Sequence, residues 1–193
     1  METKQIVPLA AFGTALIVLM ILFFTSGGDQ PPDLDPVSVP EKSGGEPEEL
    51  RPIKTIVLFF LSARDRMLHR EEREIYAQEQ VTFEAKQSIE ELIKGSHNEA
   101  LPSIPAGTRL RELYITQEGV AYVDFSREIS DNHLSGSSAE IATVFAIVNT
   151  LTQNFKSIRR VSILIEGDER ETLNGHIDLT RPLLPRLDLI TNR

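Results

Sequence analysis

The amino-acid sequence predicts an α+β fold: a two-layer sandwich of two amphipathic helices on one largely antiparallel sheet, preceded by a single transmembrane helix. Three observations lead there. Residues 7–24 are an uncharged apolar run at the amino terminus. Two later stretches, 81–96 and 137–154, repeat apolar residues at helical spacing. Around them lie short β-branched runs of period two, broken by glycine turns. Amphipathic helices and antiparallel strands each have an apolar face to bury, and packing one on the other gives two layers.

The run VPLAAFGTALIVLMILFF (7–24) would span roughly 27 Å as a helix, close to the hydrocarbon thickness of a bilayer. It reads as an uncleaved signal anchor, because Thr25-Ser26-Gly27 is a poor small-x-small cleavage site. A cleaved signal peptide is the alternative. Lys4 precedes the span and acids follow it, so residues 1–6 are expected in the cytoplasm and the body outside a single-pass cytoplasmic membrane anchor. Residues 25–52 hold six of the eleven prolines and four glycines, and within them 25–50 set seven acids against Lys42. Such a composition buries too little apolar surface to fold and reads as a disordered tether, holding the domain about 30 Å from the membrane.

The net charge of −9 belongs mostly to that tether. The remainder is close to balanced and has no basic stripe, which argues against nucleic acid as a partner. There is no cysteine, which excludes disulfides, thiolate metal ligands, a cysteine nucleophile and a lipid anchor on cysteine.

The folded body is expected over 53–193. It begins with IKTIVLFFLS (53–62), a buried strand by its β-branched and aromatic content. MLHREEREI (67–75) has the charge density of a helix surface and the position of a hairpin's return strand, and both readings stay open. In 81–96, Ala85, Ile89, Leu92 and Ile93 share one helical face, with Thr82 as N-cap and Lys94-Gly95 as the stop. RLRELYIT (109–116) and GVAYVDFS (119–126) form a hairpin about Gln117-Glu118-Gly119. The helix 137–154 opens on Ser137 and Glu140, the spacing of a capping box, and buries a stripe of Ile141, Val144, Phe145, Val148 and Leu151. RRVSILIEG (159–167) is a strand that turns at Gly167-Asp168 into a short strand, ERETL. Beyond Pro182 and Pro185 the chain is expected to fray.

SIPAGTRLRELYI, GVAYVDFS, AIVNTLTQN followed by IRRVSILIEG, and ETLNGHIDLTRPL resemble, in order and spacing, the GerMN domain. That family takes its name from the spore-germination protein GerM. The resemblance covers about residues 55–185 and is most specific over 143–182. It implies an exported, often anchored α+β domain without established enzymatic activity, tied in spore formers to sporulation and germination and connected with peptidoglycan. Many relatives are cysteine-anchored lipoproteins, whereas this chain has no cysteine.

Candidate chemistry centres on LNGHIDLTRP (173–182). His176 and Asp178 are two apart and project to one side of an extended segment, where they suit either metal ligation or acid–base work. The four histidines show no H-E-x-x-H or comparable spacing, and no third ligand is indicated, so neither metal nor cofactor is expected. No serine sits in G-x-S-x-G or S-x-x-K, and a triad of Ser126, His176 and Asp124 has no motif behind it. Glu71-Glu72 and Glu90-Glu91 fall in solvated stretches, and three tyrosines without tryptophan provide poorly for a sugar cleft. Asn149, Thr150 and Gln153 are polar positions at the end of an apolar helix. They suit either backbone hydrogen bonding or, with His176 and Asp178, a ligand or partner surface. The sequence thus points to a non-catalytic, membrane-anchored envelope module that binds peptidoglycan or an envelope protein. A cell-wall hydrolase using His176 and Asp178, and a structural subunit of an envelope complex, are the alternatives.

Overall fold

The computed structural model describes residues 52–191, except 99 and 135. The expected cytoplasmic tip (1–6) and membrane anchor (7–24), and the tether (25–52) apart from Pro52, lie outside these residues. Among the described residues, no helix is long and apolar enough to cross a membrane.

The chain opens with a hairpin of β1 (Ile53–Leu61) and β2 (Leu68–Tyr76), so the charged segment 67–75 is the return strand. Its inward positions, Glu71, Arg73 and Ile75, are buried, while the residues between them face solvent. Helix α1 (Val81–Lys94) follows. Thr82 lies inside it and is not its cap; Gln80 holds that position without a side-chain hydrogen bond. Gly95 ends it at φ 91°, as its sequence position suggests. Strands β3 (Leu110–Ile115) and β4 (Val120–Phe125) form the expected hairpin. One turn, α2 (Glu128–Asp131), leads to the long helix α3 (Ser137–Asn154), then β5 (Arg160–Ile165) and β6 (Asp168–Glu169). The β5–β6 turn is Glu166-Gly167, one residue earlier than expected. Both have positive φ, 56° and 85°, as a two-residue hairpin requires. Glu166 is kept there by its carboxylate, which accepts the Arg127 N–H at 2.9 Å.

The architecture is α+β, but the strands form two sheets and not one. β1 and β2 stand alone, and the second sheet runs β3-β4-β5-β6. The free edge of β1 is met by other groups at Val57 and Leu61. The Asn154 amide donates to the Val57 carbonyl at 2.6 Å and accepts its N–H at 2.8 Å. Farther along, Ser103 Oγ accepts the Leu61 N–H at 3.0 Å, and the Leu61 carbonyl accepts the Leu101 N–H at 2.9 Å. In the second sheet β4 and β5 are parallel, because the chain crosses over through α2 and α3 between them.

Helix α3 is the centre of the core. The expectation of a single buried stripe is replaced by burial all round over Ala142–Leu151, Thr143, Asn149 and Thr150 included. It packs mainly on β1 and also meets β5 and α1. A helix enclosed in this way has no solvent face to mark with charge. Ser137 is its first residue, not its cap: Gly136 takes that place at φ 122°, and the expected capping box does not form.

The carboxy-terminal segment does not fray. Leu183 exchanges both backbone hydrogen bonds with Val161 of β5, at 3.0 and 2.7 Å. The Asn149 side chain then clasps Arg186, donating to its carbonyl and accepting its N–H at 3.1 and 3.0 Å. After a 3₁₀ turn at Leu187–Leu189, the Thr191 N–H donates to the Leu68 carbonyl of β2 at 3.0 Å. Pro182 and Pro185 stop helix formation without loosening the strap.

Candidate functional site

The segment 173–180 is built around one carboxylate that the sequence marks only as half of a capping box. Glu140, on the first turn of α3, is fully buried. Its oxygens accept the backbone N–H groups of Leu173 (3.1 Å), His176 (2.9 Å) and Ile177 (3.1 Å), and the His176 Nδ1–H at 2.9 Å. Burial opposes its ionisation. The N–H groups of Asn174, Ile177 and His176, with the imidazole, outweigh it and hold the carboxyl below its usual range. The amino-terminal end of α3 adds a favourable dipole. Gly175, at φ 94°, lets the chain turn around this anion.

His176 is thereby oriented through Nδ1, with its side chain 41% exposed. Asp178 does not join it. Its Oδ1 accepts the Thr180 N–H at 2.9 Å and hydroxyl at 2.6 Å, a local turn that, with Arg181 nearby, keeps the carboxyl below its usual range. Leu179 packs inward and Ile177 is half-buried, as the alternation implies. Among the described residues no three metal-ligating side chains converge. Ser126 is buried, and its Oγ accepts the Arg109 N–H at 3.0 Å. Asp124 accepts the Gly167 N–H at 2.8 Å and pairs with Arg111. The Ser126–His176–Asp124 combination is not assembled.

The other candidate positions divide. Asn149 and Thr150 are buried, so neither belongs to a partner surface. Thr150 Oγ1 has no hydrogen-bond partner among the described residues, and Gln153 is exposed. The backbone hydrogen bonding expected at this end of the helix is made by Asn149 to Arg186, and at the β1 edge by Asn154, the residue after Gln153. Sequence reasoning missed Asn154 and Glu140 for different reasons. Asn154 ends a run of equally polar neighbours, and Glu140 fits a capping box so well that its burial leaves no trace in the pattern.

A separate cavity of about 310 Å³ lies between the loops around Leu101–Ala106 and Asn132–Leu134 and the start of α3. Its walls are mainly apolar and its rim carries the exposed Leu101 and Leu134. At its polar side His133 Nε2 meets Thr143 Oγ1 at 3.0 Å, and the Thr143 hydroxyl donates to the Ser103 carbonyl at 2.6 Å. That hydroxyl proton is committed, so the cavity offers shape and no activated nucleophile.

The molecule is thus an α+β domain in which a hairpin and a mixed four-stranded sheet share one buried helix and its polar side chains bond mostly to its own backbone. The sequence profile of the Germane family, described as sporulation and spore germination, matches residues 57–171. The chain belongs to that family. It is similar in structure to the tandem GerMN domains of the sporulation protein GerM from Bacillus subtilis (25% identity, 70% of this chain and 48% of that one, TM-score 0.54). It therefore spans about half of that tandem protein. The first GerMN domain of the same protein shares the fold (24%, 70% and 99%, 0.53). A proposed lipoprotein from Clostridium perfringens is also similar (25%, 73% and 95%, 0.50). None of the curated proteins matches the chain.

Proposed function

We propose that this protein is a non-catalytic module of the cell envelope, anchored in the cytoplasmic membrane through residues 7–24 and carrying its domain outside on the acidic tether 25–52. There the domain binds peptidoglycan or an envelope protein. The observation that carries this reading is the family match over 57–171, in a domain whose buried Glu140 and Asn149 are spent on its own loops. The similarity to a proposed lipoprotein supports an exported, membrane-attached setting. Sedimentation of residues 53–193 with purified peptidoglycan, together with crosslinking in intact envelopes, tests it. Retention or a specific crosslink is expected, and the absence of both would discard the reading.

One observation keeps a hydrolase in view: His176 is oriented by a buried carboxylate, and its Nε2 has no hydrogen-bond partner among the described residues. Muropeptide release abolished by His176→Ala in a folded protein would establish that alternative. The expected result is no release by either form.

A further inference from the structure

The two edges of the hairpin β1–β2 are met unequally by the rest of the domain, and the middle of β2 offers the longest open run. Cross-strand pairs 53/76, 55/74, 57/72, 59/70 and 61/68 have their backbone groups turned outward. The contacts of Val57 and Leu61 on one side, and of Leu68 and Tyr76 on the other, establish this parity. On β1 the outward groups of Val57 and Leu61 meet Asn154, Ser103 and Leu101. On β2, Leu68 is met by Thr191, and the Gln87 side chain brackets Tyr76 at both N–H and carbonyl. Between them the N–H and carbonyl groups of Arg70, Glu72 and Glu74 have no partner among the described residues. Their side chains are exposed and make no ion pair among the described residues. A cavity opens at each end of this stretch: one of about 400 Å³ beside His69–Glu71, Ser96 and Asn98, and one of about 370 Å³ between Glu74–Tyr76 and α1.

We infer that the open edge of β2 from Arg70 to Glu74 is a docking site for an extended peptide strand of a partner protein, basic opposite Glu72 and Glu74. This inference rests on the reading of the domain as a binding module and names the partner class. The edge is competent for strand addition, because the chain's own segment 190–191 already pairs in parallel at Leu68. The cavity beside Glu74 is lined by Glu90, Glu91 and Lys94, of which Glu91 and Lys94 pair with each other, leaving Glu74 and Glu90 to receive a cationic side chain. A second copy of the chain fits less well. Antiparallel self-pairing centred on Glu72 sets that residue against itself, and centred on Arg73 it sets Glu72 against Glu74. Centred on Glu71 it matches Arg70 with Glu72 but drives Glu74 onto Leu68, whose carbonyl is taken.

Two fluorescent decapeptides, alternating valine with lysine and valine with glutamate, test the site on the full chain held in detergent micelles. The valine–lysine peptide is expected to bind and to slow amide exchange at Arg70, Glu72 and Glu74. Glu72→Pro removes one outward N–H without touching the β1 ladder and is expected to weaken binding at least about tenfold, with unchanged circular dichroism. The double variant Glu72→Lys/Glu74→Lys leaves the backbone intact and is expected to prefer the valine–glutamate peptide. Equal binding to the Glu72→Pro chain, with no protection at 70–74, would mean adhesion to the acidic residues 25–50 and would overturn the inference. So would protection of the same amides by the chain's own concentration-dependent dimerisation. Because the readout is local to β2, failure here leaves retention on peptidoglycan or crosslinking elsewhere on the domain intact.

Discussion

Glu140 and His176 show how one residue can change meaning between sequence and structure. A glutamate three positions after a serine suits a cap, yet its carboxylate is sealed beneath the loop it holds. Replacing Glu140 with Ala leaves the N–H groups of Leu173, His176 and Ile177 without their acceptor, and a loss of about 2–4 kcal/mol is expected in urea unfolding. Glu140→Gln retains one acceptor oxygen and should cost less. Glu71 behaves similarly at the hairpin. Burial opposes its charge, but Ser96, the His97 N–H and Arg73 outweigh that and lower its pKa from 4.5 to about 2. The unfolded chain therefore binds the proton more tightly, so this stabilisation is complete above 4.5 and is lost as pH falls toward 2. Unfolding midpoints measured across that window should fall with pH in the native chain and fall less steeply in Glu71→Gln.

At the scale of elements, period and turn chemistry were readable because they are local. The β3–β4 hairpin, the two long helices and β5 follow from spacing and from glycine positions. Strand β2 stayed ambiguous because its buried positions include Glu71 and Arg73, which mask the alternation that a two-period search relies on. The turn at Gly119 shows a further constraint that spacing does not reveal. Its φ is 77°, and an added Cβ would lie 2.7 Å from the Ser157 carbonyl oxygen. The Gly119 carbonyl also accepts the N–H groups of Arg159 and Arg160, which sets the start of β5 beside β4. Gly119→Ala is expected to cost at least about 1–3 kcal/mol, read as a lowered midpoint of chemical unfolding.

For the whole molecule, the strap 183–191 is the decisive feature. It joins the edge of β5, the middle of α3 and the edge of β2, so both sheets are tied through a single helix. Asn149→Ala removes the two hydrogen bonds to Arg186 from a buried site, and a loss of about 2–4 kcal/mol is expected. Amide exchange should quicken at 183–191 before it does so in β4 or β5, because the strap lies at the surface and opens without the core.

Local pattern determined the class of the fold and most element positions, since each depends on residues within one helix turn or one hairpin, and the order of those local patterns along the chain carried the family resemblance. The division into two sheets, the burial of α3 on every side and the role of Glu140 were settled only in three dimensions. Asn154 reaches Val57 across 97 residues and Glu140 reaches His176 across 36. The hydrogen-bonding capacity of an amide or a carboxylate is the same at a surface as in a core. Which backbone groups it meets is decided by packing, and packing left Arg70, Glu72 and Glu74 as the longest run of edge still open to a partner.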